Sequence, residues 1–244
     1  MGETPDVKAA PPAPPRRFNT GLMEQLIPVA RRIAATLVWA LLATASQAGE
    51  LYQDFPDRFT PDHRYIIYVH GRIIETKGID PVSERFGRYE YTQIVDALAD
   101  GAAAVIAPVR KGGTDAFAYA DHLAGQIDRM VAQGVSPEHI TLAGFSKGGY
   151  ITLLTANRLQ NPSVRYVVMA VCVAGIVDGS DANADGLQGA VLSMVEAEDD
   201  LGFSCAPLFS RNPQLAYVRD VTFQAGNGHG FFYRADPAWI EEVL

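Results

Sequence analysis

Cysteine is scarce in this 244-residue chain. Cys172 and Cys205 are its only two cysteines, and neither belongs to a Cys-x-x-Cys pair or a Cys/His cluster. Neither a disulfide-rich framework nor a structural zinc site is therefore expected. A chain of this length buries enough apolar surface to fold as one domain without such crosslinks. The two cysteines could still pair in an oxidising compartment, and the sequence leaves open whether they form a disulfide or two buried thiols.

An excess of positive charge is missing as well. The chain carries a formal net charge of −8, and because its first 48 residues contribute +2, the remainder carries −10. An acidic body disfavours nucleic acid and anionic membrane surfaces as partners. We therefore expect no nucleic-acid partner, while the oligomeric state stays open.

A membrane-spanning helix needs about 20 consecutive apolar residues, and the chain has no uncharged apolar run of that length. The run Ile33–Ala45 is shorter, follows two arginines and is closed by the small residues of Ser46-Gln47-Ala48. A basic end, a short apolar middle and a small-residue exit are typical of a secretory signal peptide, here about residues 23–48. We expect residues 1–48 to be an N-terminal extension and signal peptide, export to the periplasm or the medium, and no stable membrane insertion after cleavage. The alternative is an N-terminal segment that stays attached as an anchor.

Short apolar runs alternate with amphipathic stretches along the rest of the chain, residues 49–244. This pattern predicts a polar, irregular lead-in over residues 49–63, followed by six strands. The predicted strands are Tyr65–Val69, Ala103–Val109, the run that starts at Ile140, Tyr166–Gly175, Val191–Val195 and Val221–Gln224. This alternation predicts an α/β fold with a mainly parallel sheet covered by helices on both faces. Ligands of such sheets bind beyond the carboxyl ends of the strands.

One of these strand ends carries the sequence Gly144-Phe145-Ser146-Lys147-Gly148. The pattern G-x-S-x-G between a strand and a helix indicates a sharp, strained turn that exposes the serine hydroxyl. The two glycines remove the Cβ atoms that would collide where strand and helix pass closely. Ser146 is therefore a candidate nucleophile, and the alternative is a glycine-rich turn with an incidental serine.

A serine hydroxyl needs a base to take its proton. His229 is the candidate base, because it lies in a glycine-flanked loop directly after the last predicted strand. His70, at the end of the first predicted strand, is the second choice. The other three histidines are expected to be structural or exposed: His63, His122 and His139.

A carboxylate must orient the base, and behind a serine turn of this kind it is expected between serine and histidine in chain order. The acidic run Glu196-Ala-Glu-Asp-Asp200 follows the penultimate predicted strand. We choose Asp199, with Asp200 second and Glu196 third. Asp178, after the preceding strand, is a distinct alternative.

Negative charge on an attacked carbonyl oxygen needs preorganised N–H donors. The backbone N–H of Lys147, directly after the serine, is one candidate donor. The second is expected in the turn His70-Gly71-Arg72 after the first predicted strand, with the backbone N–H of Arg72 preferred.

With these residues in this order, most of Tyr65–Leu244 resembles the α/β-hydrolase superfamily. The resemblance implies a triad of Ser146, His229 and Asp199, an acyl-enzyme intermediate, a small-molecule ester or thioester substrate, and no cofactor. Amide or peptide cleavage by the same triad is an alternative, as is a non-catalytic exported binding protein with this fold. A narrower resemblance, to small exported bacterial esterase-like hydrolases, rests on two segments, Val191–Cys205 and Gly228–Pro237. The chain departs from the superfamily before Tyr65, where it is too short for two leading antiparallel strands, so a reduced sheet is expected.

The superfamily usually carries a cap after the strand that follows the serine helix. Here the connection Ile176–Gly189 is too short for a large cap, which favours an open site and a modest-sized, soluble substrate. Asp181-Ala-Asn183-Ala-Asp185-Gly186 within it begins like a calcium loop. Position twelve of that pattern is Leu192 instead of glutamate, so we expect an Asx-rich turn and no metal.

Overall fold

The computed structural model describes residues 49–244, so the predicted extension and signal peptide lie outside the described residues. The strands are β1 (Leu51–Tyr52), β2 (Tyr65–Val69), β3 (Val82–Ser83), β4 (Gly87–Arg88), β5 (Ala104–Ile106), β6 (Ile140–Phe145), β7 (Arg165–Met169), β8 (Ala190–Glu196) and β9 (Tyr217–Phe223). The α-helices are α1 (Arg72–Lys77), α2 (Tyr91–Ala99), α3 (Ala116–Ala132), α4 (Lys147–Leu159), α5 (Ala174–Asp178), α6 (Ala206–Arg211) and α7 (Pro237–Val243). Short 3₁₀ helices cover Pro137–His139, Ala182–Ala184 and Gly228–Tyr233.

Seven strands form one sheet in the order β1-β5-β2-β6-β7-β8-β9, and every neighbouring pair is parallel. Parallel strands need crossover connections, which place helices on both faces and bury the strands between them. This explains why the central strands are almost continuously apolar, as in β2, all five residues of which are buried. The predicted mainly parallel α/β architecture is confirmed.

Successive residues of β2 point into different halves of the core, as the alternation of side chains along a strand requires. Tyr65, Ile67 and Val69 join the cluster on one face of the sheet, whereas Ile66 and Tyr68 join the cluster on the other. Helices α3 and α4 cover the first face through Leu123, Ile127, Met130, Ile151 and Leu154. Helices α2 and α7 cover the second through Ile94, Leu98, Trp239 and Ile240.

The prediction of an irregular lead-in was wrong at one point. Leu51 and Tyr52 form β1, which pairs with Val105 and Ile106 of β5 at one edge of the sheet. Two residues are too few to show a strand period, so the sequence gives no signal for this seventh strand.

Strand lengths also differ from the prediction. β7 ends at Met169 instead of Gly175, because Ala170 adopts a positive φ of 52° and the chain leaves the sheet there. Cys172 therefore lies beyond the strand in which it was predicted. β5 ends at Ile106 instead of Val109, and β9 begins at Tyr217, four residues before its predicted start.

Two further features shape the carboxyl edge of the sheet. A small antiparallel hairpin of β3 and β4 is inserted between α1 and α2. The connection from β7 to β8 contains only α5 and the 3₁₀ helix Ala182–Ala184, so no large cap is present within residues 49–244. Among the helices of the described chain, none combines the length and the apolar character that crossing a membrane would require.

Candidate active site

Ser146 occupies the sharp turn between β6 and α4. Its backbone has φ 54° and ψ −119°, a conformation that costs a non-glycine residue on the order of 1–3 kcal/mol. Two backbone hydrogen bonds hold it: the Ser146 N–H donates to the carbonyl of Met169 at 2.9 Å, and the Tyr150 N–H donates to the Ser146 carbonyl at 3.0 Å. The surrounding β-sheet and helix thus fix a strained residue at the end of a central strand.

The glycines around Ser146 are required by close backbone approach. A Cβ on Gly144 would lie 2.3 Å from the carbonyl oxygen of Gly148, and a Cβ on Gly148 would lie 1.8 Å from that of Val69. Both distances are far below a van der Waals contact. Strand β6, helix α4 and the end of β2 can meet this closely only without these side chains.

His229 and Asp199 contact one another. His229 Nδ1 lies 2.9 Å from Asp199 Oδ2, and both side chains are buried. The other oxygen, Asp199 Oδ1, accepts the backbone N–H groups of Leu201 at 2.8 Å and Gly202 at 3.1 Å. An ionised carboxylate only accepts, so His229 Nδ1 donates and its Nε2 is left able to take a proton.

Two aromatic rings confine the imidazole of His229. The Phe86 ring, from the β3–β4 hairpin, lies 5.5 Å from it between centroids, and the Phe145 ring, at the end of β6, lies 4.8 Å away. The hairpin therefore forms part of the site, which the sequence did not indicate.

The three other candidate acids lie elsewhere. Asp200 is exposed and pairs with Arg85 of the hairpin loop. Asp178, at the end of α5, is exposed and accepts the backbone N–H of Ser180, which lowers the pKa of its carboxyl. Of the four carboxylates considered, only Asp199 touches His229 in the structure.

Glu196 organises the loop that carries His229. Burial disfavours ionisation of its carboxyl, but four backbone N–H donors outweigh this and lower its pKa below the ordinary value. The donors belong to Glu198, Ala225, Gly226 and Gly228. The third-choice acid is thus a scaffold for the histidine loop.

His70, the second-choice base, is fully used by the backbone. Its Nε2 accepts the Arg110 N–H at 2.9 Å, so its Nδ1 carries the proton and donates to the Gly71 carbonyl at 2.8 Å. Burial and, next, the nearby Arg110 charge lower the pKa of His70 to about 3. A neutral imidazole with both nitrogens occupied has no free nitrogen with which to take a proton.

Ser146 and His229 line one cavity of about 620 Å³ at the carboxyl edge of the sheet. No hydrogen bond joins the two side chains in the part of the chain that is described. The apolar walls of the cavity come from Val171, Val173, Ile176 and Leu201. A second cavity, of about 410 Å³, lies at the amino ends of the strands and contains none of the candidate catalytic residues.

The two candidate N–H donors begin helices at this cavity. Lys147 is the first residue of α4 and Arg72 the first of α1, with Gly71 immediately before it. The first N–H groups of a helix have no intrahelical partner. Within residues 49–244 neither of these two N–H groups has a hydrogen-bond acceptor.

A buried ionic cluster connects the starts of these two helices. Glu75 Oε2 lies 2.6 Å from Lys147 Nζ, and Glu75 Oε1 lies 2.8 Å from Arg110 Nε. The Arg110 guanidinium also donates to the carbonyl of His70, directly before Gly71. Glu75 and Arg110 could not be predicted from the sequence, because polar residues that meet across the fold leave no local pattern.

Cys172 and Cys205 form a disulfide, with their Cα atoms 5.4 Å apart. The Phe203 N–H also donates to the Cys172 carbonyl at 2.9 Å. These links join the segment after β7, which forms a wall of the cavity, to the segment that follows Asp199. The question that the sequence left open is thus answered by a crosslink beside the site.

The aspartates of the calcium-like segment Asp181–Gly186 make a helix cap and an ion pair. Asp181 caps the 3₁₀ helix Ala182–Ala184 by accepting the Asn183 N–H, and Asp185 pairs with Arg211. The structure gathers no group of three or more His, Cys, Asp or Glu suited to a metal in the part that it describes.

Solved structures with a similar architecture are α/β hydrolases. A lipase-esterase related protein from Clostridium acetobutylicum has a TM-score of 0.50 and 14% identity, over 76% of this chain and 96% of that chain. Est1E from Butyrivibrio proteoclasticus, solved with ferulic acid bound, has a TM-score of 0.52 and 14% identity, over 78% and 90%.

A bifunctional GH43-CE protein from Bacteroides eggerthii has a TM-score of 0.52 and 13% identity; the match covers 77% of this chain but only 34% of that longer one. No family model and no curated protein sequence matches the chain. The chain therefore has an α/β-hydrolase fold, as the sequence predicted, and its activity has to be argued from its own site.

Proposed function

We propose that the protein is a serine hydrolase that cleaves a small ester or thioester. The observation that carries the proposal is the shared cavity, where Ser146 on its strained turn and His229 held by Asp199 meet. A serine, a neutral imidazole and a buried carboxylate are the three groups that nucleophilic acyl transfer requires.

In this mechanism Ser146 Oγ attacks the carbonyl carbon while His229 Nε2 takes its proton. Asp199 stays ionised and stabilises the imidazolium through its 2.9 Å contact with Nδ1. The oxyanion is bound by the backbone N–H groups of Lys147 and Arg72. The imidazolium then protonates the leaving group, and water, activated by the same histidine, hydrolyses the acyl-enzyme.

Ester chemistry is favoured by the structural neighbour described as a lipase-esterase related protein and by the lack of a large cap in the described chain. An open cavity with aliphatic walls suits a short acyl chain. Esters graded by acyl length and matched amides should show turnover of short-chain esters above both long-chain esters and amides. Preference for amides would assign the same triad to an amidase.

A fluorophosphonate probe tests the nucleophile directly. We expect labelling of the wild type and its loss in Ser146→Ala, while Ser193→Ala, buried in β8 away from the cavity, keeps it. An unlabelled wild type without esterase activity would point instead to a non-catalytic binding protein.

We further propose that the protein is exported and that its mature chain begins at Gly49. The signal-like sequence and the Cys172–Cys205 disulfide, a bond that persists in oxidising compartments, support this. Gly49 N lies 2.7 Å from the carbonyl oxygen of Ala99 and 2.9 Å from that of Gly101.

A single amide N–H shares its hydrogen between these two acceptors, whereas the ammonium released by cleavage would bond both, at the negative end of helix α2. A Cβ at this position would lie 1.8 Å from the Ala103 carbonyl oxygen, so only glycine fits. Mass spectrometry of the secreted protein should therefore give a chain that starts at Gly49. An uncleaved chain in the membrane fraction would contradict export.

A further inference from the structure

Arg72 places a positive charge in the cavity that the mechanism above does not use. Only its backbone N–H is assigned a role there. Its side chain is exposed, lines the cavity together with Ser146 and His229, and has no ion pair within residues 49–244. A cation at the first position of a helix is opposed by the helix dipole, so the stability of α1 does not explain it.

The other charged groups of the cavity are already engaged. Lys147 is neutralised by Glu75 at 2.6 Å and also donates to the Thr114 carbonyl at 2.6 Å. Asp181 uses its Oδ1 to accept the backbone and side-chain N–H groups of Asn183. Asp181 forms no ion pair within residues 49–244 and keeps its negative charge, so Arg72 is the cation of this cavity that has no counter-ion.

The apolar walls of the cavity indicate which part of a substrate would lie beside that charge. Val173 and Leu201 are 45% and 42% exposed although both are aliphatic, and Ile176 and Val171 continue the same surface. Aliphatic side chains exposed beside a nucleophile suit a short hydrocarbon segment of a substrate. The cavity thus combines an aliphatic surface with one unpaired guanidinium.

We propose that the guanidinium of Arg72 binds an anionic group of the substrate, so that the protein acts on acidic esters. The inference rests on the proposed hydrolase function and adds the substrate class to it. A guanidinium binds the two oxygens of a carboxylate or phosphate through two parallel, charge-assisted hydrogen bonds. A neutral acyl group offers no such pair of charged oxygens. The acidic body of the chain would repel such substrates, and a cation at the nucleophile offsets this locally.

Matched esters test the proposal. 4-Nitrophenyl succinate and 4-nitrophenyl levulinate have acyl groups of nearly equal size, but only the first carries a carboxylate. 4-Nitrophenyl 3-phosphonopropionate carries the same leaving group with a phosphonate. With uncatalysed rates subtracted, we expect the wild type to favour at least one anionic ester over levulinate by at least about 10-fold in kcat/KM, and the favoured ester identifies the anion.

Three variants separate the charge from its position. Arg72→Gln keeps the backbone N–H but removes the charge, and the ratio of anionic to neutral kcat/KM should fall at least about 10-fold. Arg72→Lys should restore part of this ratio and increase its dependence on salt, because ammonium binds as a point charge. Arg64 is an exposed arginine at the amino ends of the strands, far from the nucleophile, and Arg64→Gln should leave the ratio unchanged.

A wild-type ratio near one that Arg72→Gln does not alter would overturn the inference while leaving the hydrolase intact. Absence of turnover of all three esters together with absence of fluorophosphonate labelling would overturn the hydrolase function and, with it, the substrate class. Labelled protein that turns over only levulinate would reject acidic substrates alone.

Discussion

At the scale of single residues, Asp199 and Asp200 are adjacent in the sequence, but one side chain is buried and the other is exposed to solvent. Asp199 is buried against His229, whereas Asp200 is exposed and pairs with Arg85. The order of residues along the chain could not distinguish them. The turn after β8 distinguishes them, because the backbone N–H groups of Leu201 and Gly202 donate to the Asp199 carboxylate and hold it in its buried position.

Replacing this carboxylate should therefore affect catalysis strongly. In Asp199→Asn the amide can present an N–H to His229 Nδ1, which moves the proton to Nε2 and removes the base. We expect kcat/KM for a short-chain ester to fall by about 1,000- to 10,000-fold. Asp200→Asn is the matched control, expected to change it less than about threefold.

His70 makes stability depend on pH. Its folded pKa of about 3 lies below the unfolded value of 6.5, so the unfolded chain binds one more proton between these values. The stabilisation is complete above about pH 6.5 and is lost as the pH falls toward 3, by up to about 1.4 kcal/mol per pH unit.

Urea unfolding at several pH values measures this slope. We expect His70→Gln to be less stable at neutral pH but to show a shallower loss between pH 6.5 and 4.5, above the range in which carboxylates such as Glu196 take up protons. An equal slope in both proteins would contradict a neutral His70 in the fold.

At the scale of elements, the cluster of Glu75, Lys147 and Arg110 joins helix α1, helix α4 and the segment after β5. Its anion is shared by two cations, and the side chains of Glu75 and Arg110 are essentially inaccessible to solvent. No local sequence pattern could have revealed it, because its members are 35 and 72 positions apart. It ties together the two helix starts that would bind the oxyanion.

Glu75→Gln should leave two cations without their counter-ion. Breaking a buried ion pair in this way costs about 3–5 kcal/mol, which chemical denaturation would measure. A Glu75→Gln variant that remains folded should also lose kcat with little change in KM, because the donors act mainly on the transition state. Glu84→Gln, at an exposed glutamate with no ion pair in the described residues, should do neither.

The disulfide joins the segments after β7 and β8 across 33 residues of sequence. Closing a loop of this length stabilises a protein by about 3–4 kcal/mol. We expect the double variant Cys172→Ala, Cys205→Ala to lose about that much unfolding free energy. Dithiothreitol should destabilise the wild type similarly and leave the variant unchanged; equal effects on both would exclude the crosslink as the cause.

At the scale of the whole molecule, the sequence predicted the architecture because long-range order is encoded in repeated local patterns. Each central strand is an apolar run, and each run is followed by polar residues that the parallel sheet brings to one edge. Features too short for a period were missed, such as β1 and the hairpin that places Phe86 against His229. Loop conformation and paired charges therefore had to come from the structure.

The two edges of the sheet differ in a way that bears on solubility. β1 exposes only two residues of backbone for pairing, whereas β9 ends the sheet with seven, including the exposed Tyr217 and Val218. A long open strand is a template on which another chain can add. Arg219 and Asp220 interrupt its apolar character, and Arg219 is held by Glu242 of α7. We therefore expect these two charges to disfavour edge-to-edge aggregation along β9.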